Sequence, residues 1–241
     1  EDIKNPEFFK KFRKKVIGQK ILKAERRAKN ILIRLSGGVT ILVHMKMTGH
    51  FVYNKPNHPF VRLDFELDNG KHLSLSDMRR FAKVTFLTSD HLKDLGPEPL
   101  DKKFTFDVFK SQLLKRPNAK MKQALMDQTL IAGIGNIYSD EILWHSSIHP
   151  LSLVKDVPEK NLKLGFKAMK EVLQKGVRLG GDSMSDYRNI MGEKGQFQEH
   201  HRAYRKHKTA CSKKGCSGVL EKTRIGGRSA HFCPTHQKLF T

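Results

Sequence analysis

Acidic residues, cysteine and tryptophan are scarce in this chain of 241 residues, which holds 24 Asp and Glu, three Cys and one Trp. It contains no apolar run of about eighteen residues, so the sequence predicts no membrane-spanning helix. Three cysteines, with no signal-peptide pattern in the sequence, argue against a secreted fold held by disulfides. We therefore expect a cytoplasmic protein with no membrane partner.

The shortage of acidic residues leaves a large positive charge. Against the acids stand 46 Lys and Arg, which gives a formal net charge of +22. Such an excess repels itself in a folded protein and usually implies a polyanionic partner, although it also aids solubility. The cations recur beside apolar segments, as in the stretch from Arg26 to Ile33, rather than in a tail. This pattern favours nucleic acid bound through its phosphates.

The pattern of apolar residues changes along the chain. From about residue 15 to residue 87 it predicts antiparallel strands, including 31–35, 39–43 and 60–67, with a hairpin turn at Asp68-Asn69-Gly70. A proline-containing connection at 95–100 precedes helical spacing, which includes a helix over 159–177. We predict an α+β multidomain protein: a β-rich domain over 1–102, a helical domain over 103–198 and a cysteine-bearing β-hairpin over 199–241.

All the cysteines lie in the C-terminal tail. Cys211 and Cys216 are four residues apart, and Cys233 is followed after two residues by His236. Three thiolates and one imidazole suit a tetrahedral zinc ion, and a metal would supply the folding energy of so short a segment. Scattered reduced cysteines, or one disulfide with a spare thiol, are the alternatives. His231 is a rival fourth ligand, disfavoured because strand alternation places it on the same face as Cys233, too close to it.

Two further segments suit phosphate binding. Gly133 and Gly135 lead into a helix at Asn136, and the backbone N–H groups of a helix N-terminus bind anions. A Gly-x-Gly pair alone is weak, since most such pairs mark ordinary turns. Between the cysteine pairs, Gly226-Gly227 predicts a hairpin tip with Arg228 beside it, placed to grip phosphate oxygens.

Taken together, several stretches make the chain similar to the formamidopyrimidine-DNA glycosylase/endonuclease VIII family, the formamidopyrimidine branch in particular. The resemblance runs from about residue 5 to residue 238. The stretches that carry it are Arg26–Lys29, His44–Gly49, Asp77–Phe81, Leu95–Leu100, Met126–Leu143, Ile148–Pro150, Asp186–Arg188 and Gly227–Pro234.

The resemblance implies a β-sandwich, a helix–two-turn–helix module and a zinc β-hairpin. It implies excision of oxidised or ring-opened purines from duplex DNA, then strand cleavage by β- and δ-elimination, by a protein we expect to be monomeric, bacterial and nucleoid-associated. Implied catalytic residues are Lys29 and Arg228, which also contact phosphate. Implied DNA contacts are His44, Met47, His58, Arg79, Phe81, Lys122, Asn136 and Arg228, with Met47, Arg79 and Phe81 filling the void left by a flipped base. Implied zinc ligands are Cys211, Cys216, Cys233 and His236.

The sequence departs from the family pattern at three places. The family begins Pro-Glu, with the proline amine as nucleophile, whereas residue 1 is Glu; we expect that a family segment ahead of Glu1 is missing and that the β-sandwich is truncated. The first cysteine pair is usually Cys-x2-Cys, and the last ligand is usually Cys rather than His236. Met78 and Ala82 replace the usual Pro and Gly of the opposite-base loop.

Three functional readings follow. The first is a glycosylase and abasic-site lyase, in which Lys29 forms a slow Schiff base if cations such as Arg27 favour its neutral amine. The second is a non-catalytic binder of damaged DNA or abasic sites. The third, a zinc-ribbon transcription or ribosomal factor, explains the charge and the cysteines but gives no role to Met47, Arg79 and Phe81.

Overall fold

The structure, a computed structural model, describes residues 3–55, 57–184 and 187–241. Glu1 and Asp186, which the sequence analysis used, lie outside these residues. The chain forms two compact units: Glu1–Lys93 with Leu179–Gln198, and Asp94–Arg178 with Glu199–Thr241. None of the described helices is both long and apolar enough to cross a bilayer.

The first unit holds two antiparallel sheets. Its strands are β1 (Ile21–Arg27), β2 (Asn30–Leu35), β3 (Thr40–His44), β4 (His50–Tyr53), β5 (Val61–Glu66), β6 (His72–Ser76) and β7 (Lys83–Phe86). One sheet has the order β1-β2-β3-β7 and the other β4-β6-β5. The predicted strands are therefore confirmed, and so is the hairpin turn, where Gly70 has a φ of +71°.

A core of alternating apolar residues lies between these sheets. Ile33, Ile41 and Val43 from one sheet pack with Leu63 and Leu75 from the other. Helix α1 (Pro6–Val16) adds Phe8 and Phe12 to this core, and Asn5 caps it by accepting hydrogen bonds from Glu7 and Phe8. The β-sandwich expected from the alternation is confirmed.

The second unit is mainly helical. It contains α2 (Phe106–Leu114), α3 (Met121–Met126), α4 (Asn136–Ser146) and α5 (Glu159–Arg178), followed by the hairpin β8 (Glu221–Ile225) and β9 (Arg228–Phe232). The buried carboxylate of Glu141 on α4 accepts hydrogen bonds from the backbone N–H groups of Arg202, Ala203 and Tyr204 at 2.8–3.0 Å. These bonds join α4 to the chain that leads into the hairpin.

The segment Leu179–Gln198 returns to the first unit, although the sequence placed it with the helices. The backbone carbonyl of Ile190 accepts a hydrogen bond from Tyr53 N on β4 at 2.9 Å. The exposed ammonium of Lys55 donates to the carbonyl of Met191 at 3.4 Å. The two boundaries that the sequence placed between its three domains stay predictions.

Candidate functional site

Met47, Arg79 and Phe81 come together on two loops of the first unit, although about thirty residues separate the loops. The guanidinium of Arg79 donates to the Met47 sulfur at 3.2 Å and stacks over the Phe81 ring at 4.7 Å from its centroid. Met47 is 58% exposed and Phe81 47% exposed, so both apolar side chains face solvent. Two apolar tips around one guanidinium form a surface that can enter a base stack and hydrogen-bond a base edge.

The buried carboxylate of Asp77 joins the two loops. It accepts hydrogen bonds from the Thr48 hydroxyl and, at 2.7 Å, from Ala82 N, while the Thr48 hydroxyl accepts from Arg79 N at 3.1 Å. Burial raises the pKa of Asp77, but the bonds from Thr48 and from the N–H groups of Ala82, Arg79 and Phe81 outweigh it. The pKa therefore lies below its usual range.

Sequence reasoning assigned no role to Asp77, although it opens the stretch that carries Arg79 and Phe81. An aspartate just before a loop is a frequent acceptor for backbone N–H groups, and that signal was available. Met78 and Ala82, where the family usually has Pro and Gly, leave the loop closed on Asp77.

Lys29 and His44 lie at one end of the larger sheet. Lys29 is exposed in the two-residue turn between β1 and β2, and His44 ends β3. Burial, together with the charges of Lys46, Lys29 and Lys83, lowers the pKa of His44 to about 4. His44 is therefore neutral at pH 7, and its Nδ1 accepts a hydrogen bond from Lys46 N at 3.0 Å.

His58 is half-buried between β4 and β5. Its ring meets the buried His50 ring edge-on at 5.4 Å, and its Nδ1 lies 3.0 Å from the carbonyl of Pro59. Among the described residues, His58 forms no hydrogen bond with Met47, Arg79 or Phe81.

In the second unit, Asn136 and the tip of the hairpin lie side by side. Asn136 begins α4, and its amide donates to the Ser229 hydroxyl at 3.2 Å. Gly226 and Gly227 form the two-residue turn with φ of +54° and +78°, as predicted, because the turn needs left-handed residues. Arg228 follows the turn and is exposed. The first turn of α4 and Arg228 can thus face one anionic ligand.

Lys122 requires a correction. The sequence placed it among the DNA contacts, but its side chain is enclosed: the residue is 0% exposed, and its ammonium donates to Asp140 Oδ1 at 2.5 Å and to the Asn136 carbonyl at 3.0 Å. Burial lowers the pKa of Lys122, and Asp140 partly offsets this. The enclosed ammonium is not available to a phosphate group.

Asp140 also binds His231. Its Oδ2 accepts from the backbone N–H of His231 at 3.1 Å and lies 2.9 Å from the ring Nδ1. His231 therefore belongs to a buried network with Lys122 and Asp140, not to the cysteine cluster. The sequence analysis disfavoured it as a ligand, and the structure agrees, although the reason is the partner on α4 rather than strand alternation.

Cys211, Cys216, Cys233 and His236 form one cluster, with their ligand atoms all within 4.8 Å of one another. Burial raises the pKa of Cys233, but backbone N–H groups of His236 and Thr235 and the neighbouring thiols outweigh this and lower it. The His236 Nδ1 lies 3.3 Å from the Cys211 sulfur, while Nε2 lies 3.1 Å from the Trp144 carbonyl. This donor set fits one tetrahedral metal ion with Nδ1 as the imidazole ligand.

Two family profiles match most of this chain. Residues 1–84 match the Formamidopyrimidine-DNA glycosylase N-terminal domain, and residues 95–188 match the Formamidopyrimidine-DNA glycosylase H2TH domain. Among curated relatives, the formamidopyrimidine-DNA glycosylase of Pelotomaculum thermopropionicum is 37% identical, covering 98% of this chain and 88% of that protein. That of Protochlamydia amoebophila is 36% identical, with 94% and 84% covered.

Solved structures give the same result. The Fpg protein of Thermus thermophilus superposes with a TM-score of 0.83 at 35% identity, covering 93% of this chain and 85% of that one. The Lactococcus lactis Fpg in complex with abasic-site DNA has a TM-score of 0.85 at 29% identity, with 95% and 86% covered. The chain therefore belongs to the formamidopyrimidine-DNA glycosylase family.

Proposed function

We propose that this protein is a base-excision-repair DNA glycosylase with abasic-site lyase activity, acting on oxidised or ring-opened purines in duplex DNA. The observation that carries the proposal is the meeting of Met47, Arg79 and Phe81 on one exposed surface. Family membership, with a relative that was crystallised on abasic-site DNA, supports the same partner.

The exposed trio acts on the duplex at the damaged position. When the damaged nucleotide leaves the stack, Met47 and Phe81 fill the void with apolar surface, and the Arg79 guanidinium hydrogen-bonds the orphaned base. Asp77 keeps the two loops together, so the guanidinium is held between the two wedges before DNA arrives. This arrangement lowers the ordering cost of binding.

Each unit supplies phosphate contacts of its own. In the first unit, the phosphate contacts are Lys29 and the neutral His44. In the second unit, they are the first turn of α4 and Arg228. Arg228 grips two phosphate oxygens with its planar fork, whereas Lys29 acts as a point charge.

Lys29 also supplies an exposed primary amine for the lyase step. The amine adds to the C1′ aldehyde of an abasic sugar and loses water, which leaves a protonated Schiff base. A water molecule then takes a C2′ proton, the C3′–O bond breaks, and the 3′ strand leaves with its 5′-phosphate. In this scheme the amine is regenerated when water hydrolyses the imine.

Cys211, Cys216, Cys233 and His236 would hold a zinc ion, which would supply folding free energy to the short tail. With four protein ligands the ion would have a structural role rather than a catalytic one. Its effect on DNA is indirect: Cys233 follows directly on β9, the strand that begins at Arg228.

Borohydride trapping on a duplex with one abasic site tests the proposal, with Lys29→Met and, as a matched control, Lys23→Met from an exposed site on β1. We expect a covalent adduct that Lys29→Met abolishes and Lys23→Met retains. An adduct in both variants would assign the chemistry to another amine.

The same experiment separates the second candidate function, a non-catalytic binder of damaged or abasic DNA. Tight and lesion-selective binding in a gel shift without any adduct would favour the binder. Equal affinity for damaged and intact duplexes would overturn both functions.

A further inference from the structure

Helix α1 carries a dense group of cations that the proposed function leaves unused. Five of its eleven residues are exposed and positively charged, against the single acidic residue Glu7. These residues, called here the α1 basic surface, are Lys10, Lys11, Arg13, Lys14 and Lys15. None of them forms an ion pair within the part of the chain that the structure describes.

Helix stability does not explain this surface. Arg13, Lys14 and Lys15 lie in the last turn, where cations interact favourably with the helix dipole. Lys10 and Lys11 lie outside that turn, and each has a lysine four residues later on the same face. Such like-charge pairs destabilise a helix.

The α1 basic surface lies away from the trio of Met47, Arg79 and Phe81. Phe12 stacks on Phe86 with ring centroids 5.1 Å apart, and the ammonium of Lys15 lies 5.4 Å from the same ring. Phe86 is the last residue of β7 and Lys83 is the first, so the two lie about 10 Å apart at the usual rise of a strand. Lys83 is paired with His44 on β3. The loops of the trio leave the sandwich at the His44 end.

We propose that the α1 basic surface binds the phosphate backbone of duplex DNA without regard to a lesion. The inference rests on the proposed function, since it takes duplex DNA as the partner. Lysines on a regular helix give point-charge contacts with no base readout, which is the chemistry of sequence-independent binding. A second backbone contact would hold the protein on intact DNA while the trio tests each base pair.

An anionic membrane is a poorer partner for the same charges. A helix that lies on a bilayer buries its apolar face in the lipid. Two of the three phenylalanines of α1, Phe8 and Phe12, are buried in the core of the sandwich at 8% and 2% exposure, which leaves Phe9, 39% exposed, as the phenylalanine that could enter a bilayer.

The test measures affinity for an intact duplex as a function of salt. The triple variant Lys10→Gln, Lys11→Gln, Lys14→Gln removes three charges, so the slope of log affinity against log salt should fall by up to about 2.7, at about 0.9 per phosphate contact. The control is Lys160→Gln, Lys163→Gln, Lys167→Gln on the exposed face of α5, with the same change of net charge, and its slope should change little.

Three results would overturn the inference. The salt slope of the triple variant could equal that of wild type, or it could fall by the same amount in the triple variant and the control. The triple variant could also lose binding to phosphatidylserine vesicles while its DNA binding stays intact. Affinity for abasic and intact duplexes should fall by the same factor, so that lesion preference survives. Absence of that preference in the wild-type protein would instead refute the proposed function. The triple variant should melt no lower than wild type, since two like-charge pairs are removed.

Discussion

The role of Lys122 gives the sharpest test of this structure, because sequence and structure disagree about it. Lys122 is 0% exposed and Asp140 is 1% exposed, and the two groups form a buried ion pair. Replacing Lys122 by Met keeps the volume but leaves the carboxylate of Asp140 with only the donors of His231. Breaking such a pair from one side usually costs about 3–5 kcal/mol.

Because His231 still donates to Asp140 in Lys122→Met, we expect the free energy of unfolding to fall by about 3 kcal/mol, the lower end of this range. Urea unfolding followed by the fluorescence of Trp144 measures it. Trp144 is the only tryptophan in the chain and lies buried on α4, the helix that carries Asp140. The matched control is Lys120→Met, an exposed lysine two residues away, which should change the free energy by less than about 0.5 kcal/mol.

The two readings of Lys122 separate cleanly. If Lys122→Met leaves the urea midpoint unchanged but weakens binding to all duplexes and lowers the salt slope by about one, the lysine is a phosphate contact and the reasoning from burial is wrong. If stability falls and the salt slope of the folded variant stays the same, the ion pair is structural.

Three other predictions follow from the geometry. His236→Gln should release zinc to a colorimetric chelator faster than wild type, whereas His236→Cys should retain it; equal release from both would remove His236 from the ligand set. Arg79→Ala should weaken binding to an abasic duplex by about 1–3 kcal/mol and reduce discrimination of the opposite base in a gel shift; unchanged discrimination would contradict it. The pKa of His44 is about 4 in the folded protein and about 6.5 in the unfolded chain. The unfolded state therefore binds a proton on His44 at a higher pH than the folded state does. The free energy of unfolding should therefore fall as pH falls from about 6.5 to about 4, and it should fall less in His44→Gln. Because the Lys29 charge lowers the His44 pKa, Lys29→Met should raise that pKa, as measured by NMR.

Much of the fold follows from local patterns. The apolar pattern predicted the strands over 31–35, 39–43 and 60–67, and glycines with positive φ stand where turns were predicted, at Gly70 and at Gly226-Gly227. The spacing of Cys211, Cys216, Cys233 and His236 predicted a cluster that the structure forms. These signals work because the residues concerned are close in sequence: a turn closes each ligand pair, and the β8–β9 hairpin joins the two pairs.

Long-range packing was out of reach of the same reasoning. The family resemblance implied a DNA contact for Lys122, and only the fold shows that the carboxylate of Asp140, eighteen residues later, pairs with its ammonium. The spacing of Asn136 and Asp140 does place both on one face of α4, a usable signal. The return of Leu179–Gln198 to the first unit has no local signal, since its hydrogen bonds come from the distant Tyr53 backbone N–H and Lys55 ammonium.

The histidine that replaces the usual last cysteine shows how a departure from a family pattern can add a contact. A cysteine at this position offers one sulfur to the metal and no second polar atom that could donate a hydrogen bond to the protein behind it. His236 offers Nδ1 to the cluster and, through Nε2, an N–H to the Trp144 carbonyl near the end of α4. The Trp144 and His236 rings also meet edge-on at 5.2 Å. Since α4 begins at Asn136, the ligand set, the helix and the phosphate cradle form one continuous chain of contacts. His236→Cys should therefore keep the metal and still loosen α4, seen as faster amide exchange near Trp144, whereas unchanged exchange would show that the ring only ligates.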